Sequence, residues 1–287
     1  MLAEISSLGF NHVELGHGIR LSLLEGIDRF LAGGSMKVTS LHNFCPLPVE
    51  ILGSAPDFYE CTALRAVERE RALTHTLRTI DYAQKIGARH VVMHLGSARM
   101  APYTKRLSKL IDSGRYLDRH YIRTKLEAIR KREANSPYDQ IIAWLQPVLD
   151  HAASANVVLG IENRIGIETC PSESEFRRLF SEIRSIGYWH DFGHAQIRHN
   201  LTFLDHAEWL SEMSSRLIGC HVHDVLFPSS DHHIPFSGMI DFKALLAGIP
   251  RSTPLVWELS VRAKEDEIMS ALARWNQQLA EFNDSSP

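Results

Sequence analysis

Short runs of apolar and β-branched residues recur along the chain. Between them lie longer stretches in which apolar positions return every three or four residues. The first pattern predicts buried strands and the second amphipathic helices. Strands are expected at His12–Leu15, Lys37–His42, His90–His94, Val157–Glu162, Gly187–Asp191, Leu217–His221 and Leu255–Glu258. Helices are expected at Thr62–Ile86, Tyr138–Ser154, Ser172–Ile186, Thr202–Ser214 and Lys264–Phe282. Gly87 supplies a C-terminal stop, and Ser172 followed by Glu173 and Glu175 supplies an N-terminal start. Asp205, His206 and Glu208 fall in the polar part of the helix that follows.

Strands alternating with helices imply a parallel sheet with helical crossovers. Seven such units favour an α/β fold of the (β/α)8 type over a doubly wound sheet, and no GxGxxG follows any strand. The expected organisation is one barrel domain over residues 1–287. One segment breaks the rhythm, because about sixty residues separate His94 from Val157, where a barrel needs roughly thirty. The excess, about 99–133, is basic and carries Tyr116 and Tyr121. It is placed as an insertion over the C-terminal face, where barrel loops grow.

The ends of these strands share a chemistry. Successive candidates stop at His42, His94, Glu162, Asp191, His221 and Glu258, with His194 three residues after Asp191. In a parallel barrel such ends converge on the face that carries the chemistry. A carboxylate at the end of a dry strand is costly unless a cation or partner meets it. The repeated pattern therefore points to a metal site. A loop follows His221, and there Asp231 and His233 form a DxH pair able to point inward. His223 and His232 alternate away from that pair and read as solvated or supporting residues. Arg164 follows Glu162-Asn163, placing it to hold substrate oxygens or to form a structural ion pair.

Composition narrows the classes. The chain has 287 residues, 44% hydrophobic, with 16 histidines and a net charge of −3. That charge gives no chain-wide field for nucleic acid, although the insertion offers a local basic patch. Four cysteines at 45, 61, 170 and 220 form no CxxC and suggest a reduced, cytoplasmic protein. The N-terminus lacks a secretory pattern, and no apolar run of about 18 residues suggests a membrane span.

The segments GFNHVELG, SLHNF, HVVMHLG, GIENR, HDFGH, CHVHD, HHIPFSGMIDF and WELS occur in that order. In them the chain resembles the xylose isomerase-like TIM-barrel superfamily, which includes ketose epimerases and endonuclease IV. The resemblance implies one divalent metal held by Glu162, Asp191, His221 and Glu258. It implies Glu162 and Glu258 as the acid–base pair and His194 as a substrate-holding residue, joined here by Arg164 and His94. Endonuclease IV-like members hold three zinc ions, and the matching additional ligands are His42, His94, His194, Asp231 and His233. Two departures stand out. AEISSLGF reads as the first helix, so the usual first strand is missing. The family's GxG before the iDf sequence appears as Phe236-Ser237-Gly238.

The expected activity is a metal-dependent isomerase or epimerase of a sugar, sugar phosphate or polyol, working by proton abstraction beside a metal-bound carbonyl. Zn, Mn or Co suit the ligand set, with Mg and Fe as lesser options. The alternatives are an endonuclease IV-like multi-zinc phosphodiesterase acting on nucleic acid, and a metal-binding barrel without catalysis. An amidohydrolase reading is weaker still, because its HxH belongs on a first strand. The expected partner is a small carbohydrate, with self-association into a homo-oligomer left open.

Overall fold

The structure, a computed structural model, describes residues 1–53 and 56–284. Its main sheet has seven strands in the order β1-β2-β3-β4-β5-β6-β9, and a separate two-stranded sheet pairs β7 with β8. Internal contacts divide the chain into two compact units, Met1–Tyr188 and the segment beginning at Trp189.

The first unit opens with helix α1 (Leu2–Ser7), then β1 (His12–Leu15), α2 (Leu24–Ala32), β2 (Lys37–His42) and α3 (Ala66–Ile86). The first described element is thus a helix, and the sheet has seven strands where an eight-stranded barrel has one more. Helix α3 buries Ala72, Thr76, Thr79, Ile80 and Ala83, a stripe at three- and four-residue spacing. It stops at Gly87, whose φ of 75° is left-handed, a conformation glycine adopts without steric cost.

The chain continues through β3 (His90–Met93), α4 (Tyr103–Asp112), α5 (Arg119–Ala134), α6 (Tyr138–Ser154), β4 (Val158–Glu162) and α7 (Glu173–Glu182). Strands β1 to β4 pair in parallel, neighbour to neighbour. Because Met93 lies opposite Ile161, the next residues, His94 and Glu162, leave their strands at the same height. Helix α7 starts in a full capping box between Ser172 and Glu175. It ends sooner than the pattern predicts, because Ile183 is already extended ahead of β5 (Ile186–Asp191).

The insertion is a helix pair, α4 and α5. Its sequence looks solvated, yet Tyr121 is fully buried and its ring meets Tyr116 edge-on. Glu168, in the loop after β4, accepts hydrogen bonds from the main-chain N–H and hydroxyl of Thr104, fastening the first turn of α4. Arg132 of α5 is buried in an ion pair with Glu175. Tyr121 and Arg132 therefore serve the fold and offer nothing to a nucleic-acid strand.

In the second unit, α8 (Phe192–Asn200) follows β5 with no intervening loop. Then come α9 (His206–Met213), β6 (Leu217–Val222), the hairpin β7 (Asp224–Leu226) and β8 (Ser230–His233), α10 (Phe242–Leu246), β9 (Leu255–Trp257) and α11 (Glu265–Asp284). Helix α9 starts four residues later than the pattern suggests, at the Asp205 cap, whose side chain accepts from the Glu208 N–H. Strands β6 and β9 pair in parallel, with His221 opposite Val256 and Val222 opposite Trp257. Buried Asp224 accepts from the main-chain N–H groups of Val225, Gly238 and Ile240. It thereby folds the 236–240 segment back onto the hairpin. Phe236, at a left-handed φ of 72°, stands where the family has its first GxG glycine. Its ring packs on Phe242 and Trp275.

Candidate functional site

Each unit carries its own cluster of ligand-type side chains. In the first, Glu162 Oε2 lies 3.2 Å from His42 Nε2 and 3.0 Å from His94 Nε2. The other ring nitrogens face oxygens. His42 Nδ1 is 3.0 Å from the Asn43 carbonyl, and His94 Nδ1 is 2.6 Å from Asp57 Oδ1. Carbonyls and carboxylates only accept, so both Nδ1 atoms carry protons. In the neutral rings the Nε2 lone pairs then point at a carboxylate oxygen. A cation, or a second proton on the ring, reconciles that opposition. For His94, burial and Arg164 pull the pKa down, but Glu162 and Asp57 outweigh them and raise it.

Arg164 donates to Glu162 Oε1 and to Asp57 Oδ2, each at 3.3 Å, so it takes the ion-pair role. Burial alone would raise the Asp57 carboxyl. The adjoining His94 and Arg164 override it and hold that carboxyl well below the usual range. The sequence reading missed Asp57, which sits in an aperiodic loop after β2 beside no motif. His17, also missed, meets the His42 ring edge-on at 4.9 Å.

In the second unit Asp191 ends β5 and caps α8, its Oδ1 accepting from the His194 N–H at 2.7 Å. Its Oδ2 lies 3.4 Å from His194 Nδ1 and 3.8 Å from His221 Nδ1. His221 Nδ1 in turn lies 3.3 Å from Glu258 Oε2. Asp191 and His221 are fully buried, while the Glu258 side chain is 33% exposed. Three strand ends, of β5, β6 and β9, thus deliver a carboxylate, an imidazole and a carboxylate to one place. That donor chemistry fits a divalent cation of intermediate softness.

The hairpin departs from expectation. His223 is fully buried, with Nε2 3.1 Å from both oxygens of Asp191. His232 stacks on it at 4.3 Å and turns its own Nδ1 toward the Glu258 carbonyl, 3.1 Å away. His194, His223 and His232 form one group of potential ligands. Among the described residues no such group contains Asp231 or His233. Those two line an open groove of about 820 Å³ with Arg262, Glu267 and Arg274, and His233 Nε2 meets the Ser230 hydroxyl at 2.8 Å. The reason is backbone geometry. His232 has a left-handed φ of 56° inside β8, which breaks the simple alternation assumed from sequence. For His223, burial lowers the pKa but the Asp191 carboxylate overrides it, to about 9. Asp191 thus favours a proton on Nε2, while the His232 N–H aimed at Nδ1 needs a lone pair there, so the ring keeps its proton on Nε2.

Behind β5 lies a different pair. His190 Nε2 meets His206 Nε2 at 3.0 Å, and His206 Nδ1 meets Gln196 Oε1 at 3.0 Å. Burial pushes His190 down to about 3 and His206 well below its usual value. All four cysteines are free and buried. No helix among the described residues is long and apolar enough to cross a membrane.

The sequence profile of the family described as xylose isomerase-like TIM barrel matches residues 2–279. The uncharacterized protein y4fM of Sinorhizobium fredii is 27% identical over 129 residues, 43% of this chain and 40% of that protein. The chain's match thus spans well under half of that relative. Among solved structures, a xylose isomerase domain protein from Planctomyces limnophilus superposes with a TM-score of 0.68 at 14% identity, covering 99% of this chain and 93% of the other. The 3-keto-D-glucoside 4-epimerase of E. coli gives 0.66 at 16%, covering 96% and 92%. D-psicose 3-epimerase from Clostridium cellulolyticum H10, solved with D-tagatose, gives 0.65 at 14%, covering 97% and 92%. At these identities the likeness speaks to the fold.

Proposed function

Because the chain belongs to the xylose isomerase-like TIM-barrel family, we propose that it is a divalent-metal-dependent isomerase or epimerase of a sugar, sugar phosphate or polyol. One observation carries the reading: Asp191, His221 and Glu258 gather from three strand ends, with His221 Nδ1 3.8 Å from Asp191 and 3.3 Å from Glu258. Glu162, Asp191, His221 and Glu258 would hold the cation, with Zn, Mn or Co favoured over Mg or Fe. Several structural neighbours are named as sugar epimerases, which supports a small carbohydrate as substrate.

When bound, the cation supplies Lewis-acid polarisation of a carbonyl and stabilises the negative charge that builds on its oxygen. The protein supplies the proton chemistry. Glu258, a third exposed, removes the proton from the carbon beside the carbonyl. Glu162 serves as its acid–base partner. His194 and Arg164 hold hydroxyl or phosphate oxygens, while both ring nitrogens of His94 are engaged by Asp57 and Glu162. Arg164 keeps its fixed position through Glu162 and Asp57. The test is deuterium exchange from solvent into a panel of ketoses by the metal-loaded protein. Exchange at the carbon next to the carbonyl supports the reading, and no exchange with any ketose overturns it.

A second reading has its own observation. His42 and His94 have each committed Nδ1 to an oxygen and turned Nε2 toward Glu162, as ligands to an additional cation do. An endonuclease IV-like multi-zinc phosphodiesterase needs such a set. Cleavage of an abasic-site oligonucleotide, abolished in His42→Ala, would put this reading first.

A further inference from the structure

Resting on the metal-site reading above, we propose that His223 is a positioning residue that clamps Asp191 in its cation-binding orientation through a hydrogen bond from Nε2. The other ring nitrogen fixes where the proton sits. His223 Nδ1 faces the main-chain N–H of His232 at 2.9 Å. A main-chain N–H can only donate, so Nδ1 holds a lone pair and Nε2 holds the proton. That proton lies between the two oxygens of Asp191, 3.1 Å from each. Both nitrogens are thus committed, and His223 serves the cation through Asp191.

The ring has nowhere to turn. A Cβ on Gly193 would lie 1.9 Å from its Cε1, so the HDFGH segment accepts only glycine there while His223 keeps its place. On another side the His232 imidazole stacks at 4.3 Å and 21°. Asp191 is held in the same way by the His194 N–H. With Asp191 so held, its Oδ2 lies 3.8 Å from His221 Nδ1. Fixing a ligating carboxylate in advance removes the cost of orienting it when the cation arrives.

The test compares His223→Asn with His223→Gln. The asparagine oxygen can still accept from the His232 N–H but reaches no donor to Asp191. The glutamine amide can extend a donor to the Nε2 position. Cobalt(II) affinity of the full chain is measured by titration of its visible absorption, with circular dichroism to verify folding. His223→Asn should weaken cobalt binding by about 10- to 100-fold while melting close to the parent, and His223→Gln should restore it to within about threefold. A folded His223→Asn protein that binds cobalt as tightly as the parent overturns the proposal. Nitrogen NMR of the metal-free parent, free of any substitution, should show the His223 proton on Nε2, and a proton on Nδ1 in the neutral ring overturns it too. A parent chain that binds no divalent metal contradicts the metal-site reading instead, while the NMR result still decides the clamp.

Discussion

Glu162 and Glu258 differ in what surrounds them. Glu162 is 1% exposed and engaged by two imidazoles and a guanidinium, whereas Glu258 is a third exposed. The more accessible carboxylate is the one that a substrate C–H can reach. Glu258→Gln should therefore reduce ketose exchange by about 10²- to 10⁴-fold with folding unchanged. Unaltered exchange in that variant would remove Glu258 from the proposed role. Asp57→Asn tests the other cluster. It keeps the shape but presents an amide to His94 Nδ1 and weakens the hold on Arg164. It should raise the concentration of divalent metal or substrate needed for half-saturation by about 10-fold or more. At this scale the sequence showed the residues that end strands, because periodicity locates a strand and its last residue together. It did not show Asp57, which reaches His94 from a loop, nor the inward turn of His232, which has a left-handed φ inside β8.

The strands of the main sheet were legible almost to the residue, since they are short apolar runs that mostly stop at His, Asp or Glu. His12–Leu15 and Lys37–His42 agree with β1 and β2 at both ends. Helix α8 was invisible for the opposite reason. Phe192 to Arg198 and Asn200 are all buried, so no polar face marks a helical period. The α4–α5 insertion shows basic residues outside and hides its anchors inside. Replacing Glu168 with Ala removes both Thr104 bonds and should cost about 2 kcal/mol. Trypsin should then cleave faster at Arg115, between α4 and α5. A cleavage rate equal to the parent's would mean that α4 is held by its apolar face alone.

For the molecule as a whole, His190 and His206 set an acid limit. Both pKa values are depressed by burial, His190 to about 3. The unfolded chain therefore binds protons that the folded chain refuses, and stability falls as pH drops below about 6.5. Thermal melting should fall from pH 7 toward pH 5, and His206→Phe should flatten that slope. An equal slope in both proteins would assign the acid sensitivity elsewhere. Overall architecture followed from the alternation of strands and helices. Seven strands in the main sheet, with a helix first, agree with the reading that the usual first strand is missing. Substrate identity stayed beyond reach of the sequence because it is written in loop conformation rather than periodicity.

Mass-spectrometric counting of metal retained after dialysis, in the parent and in His221→Ala, reaches the central claim most directly. One divalent ion per parent chain and none in the variant is the expected result. A parent that retains none, or a variant that retains as much as the parent, contradicts the account.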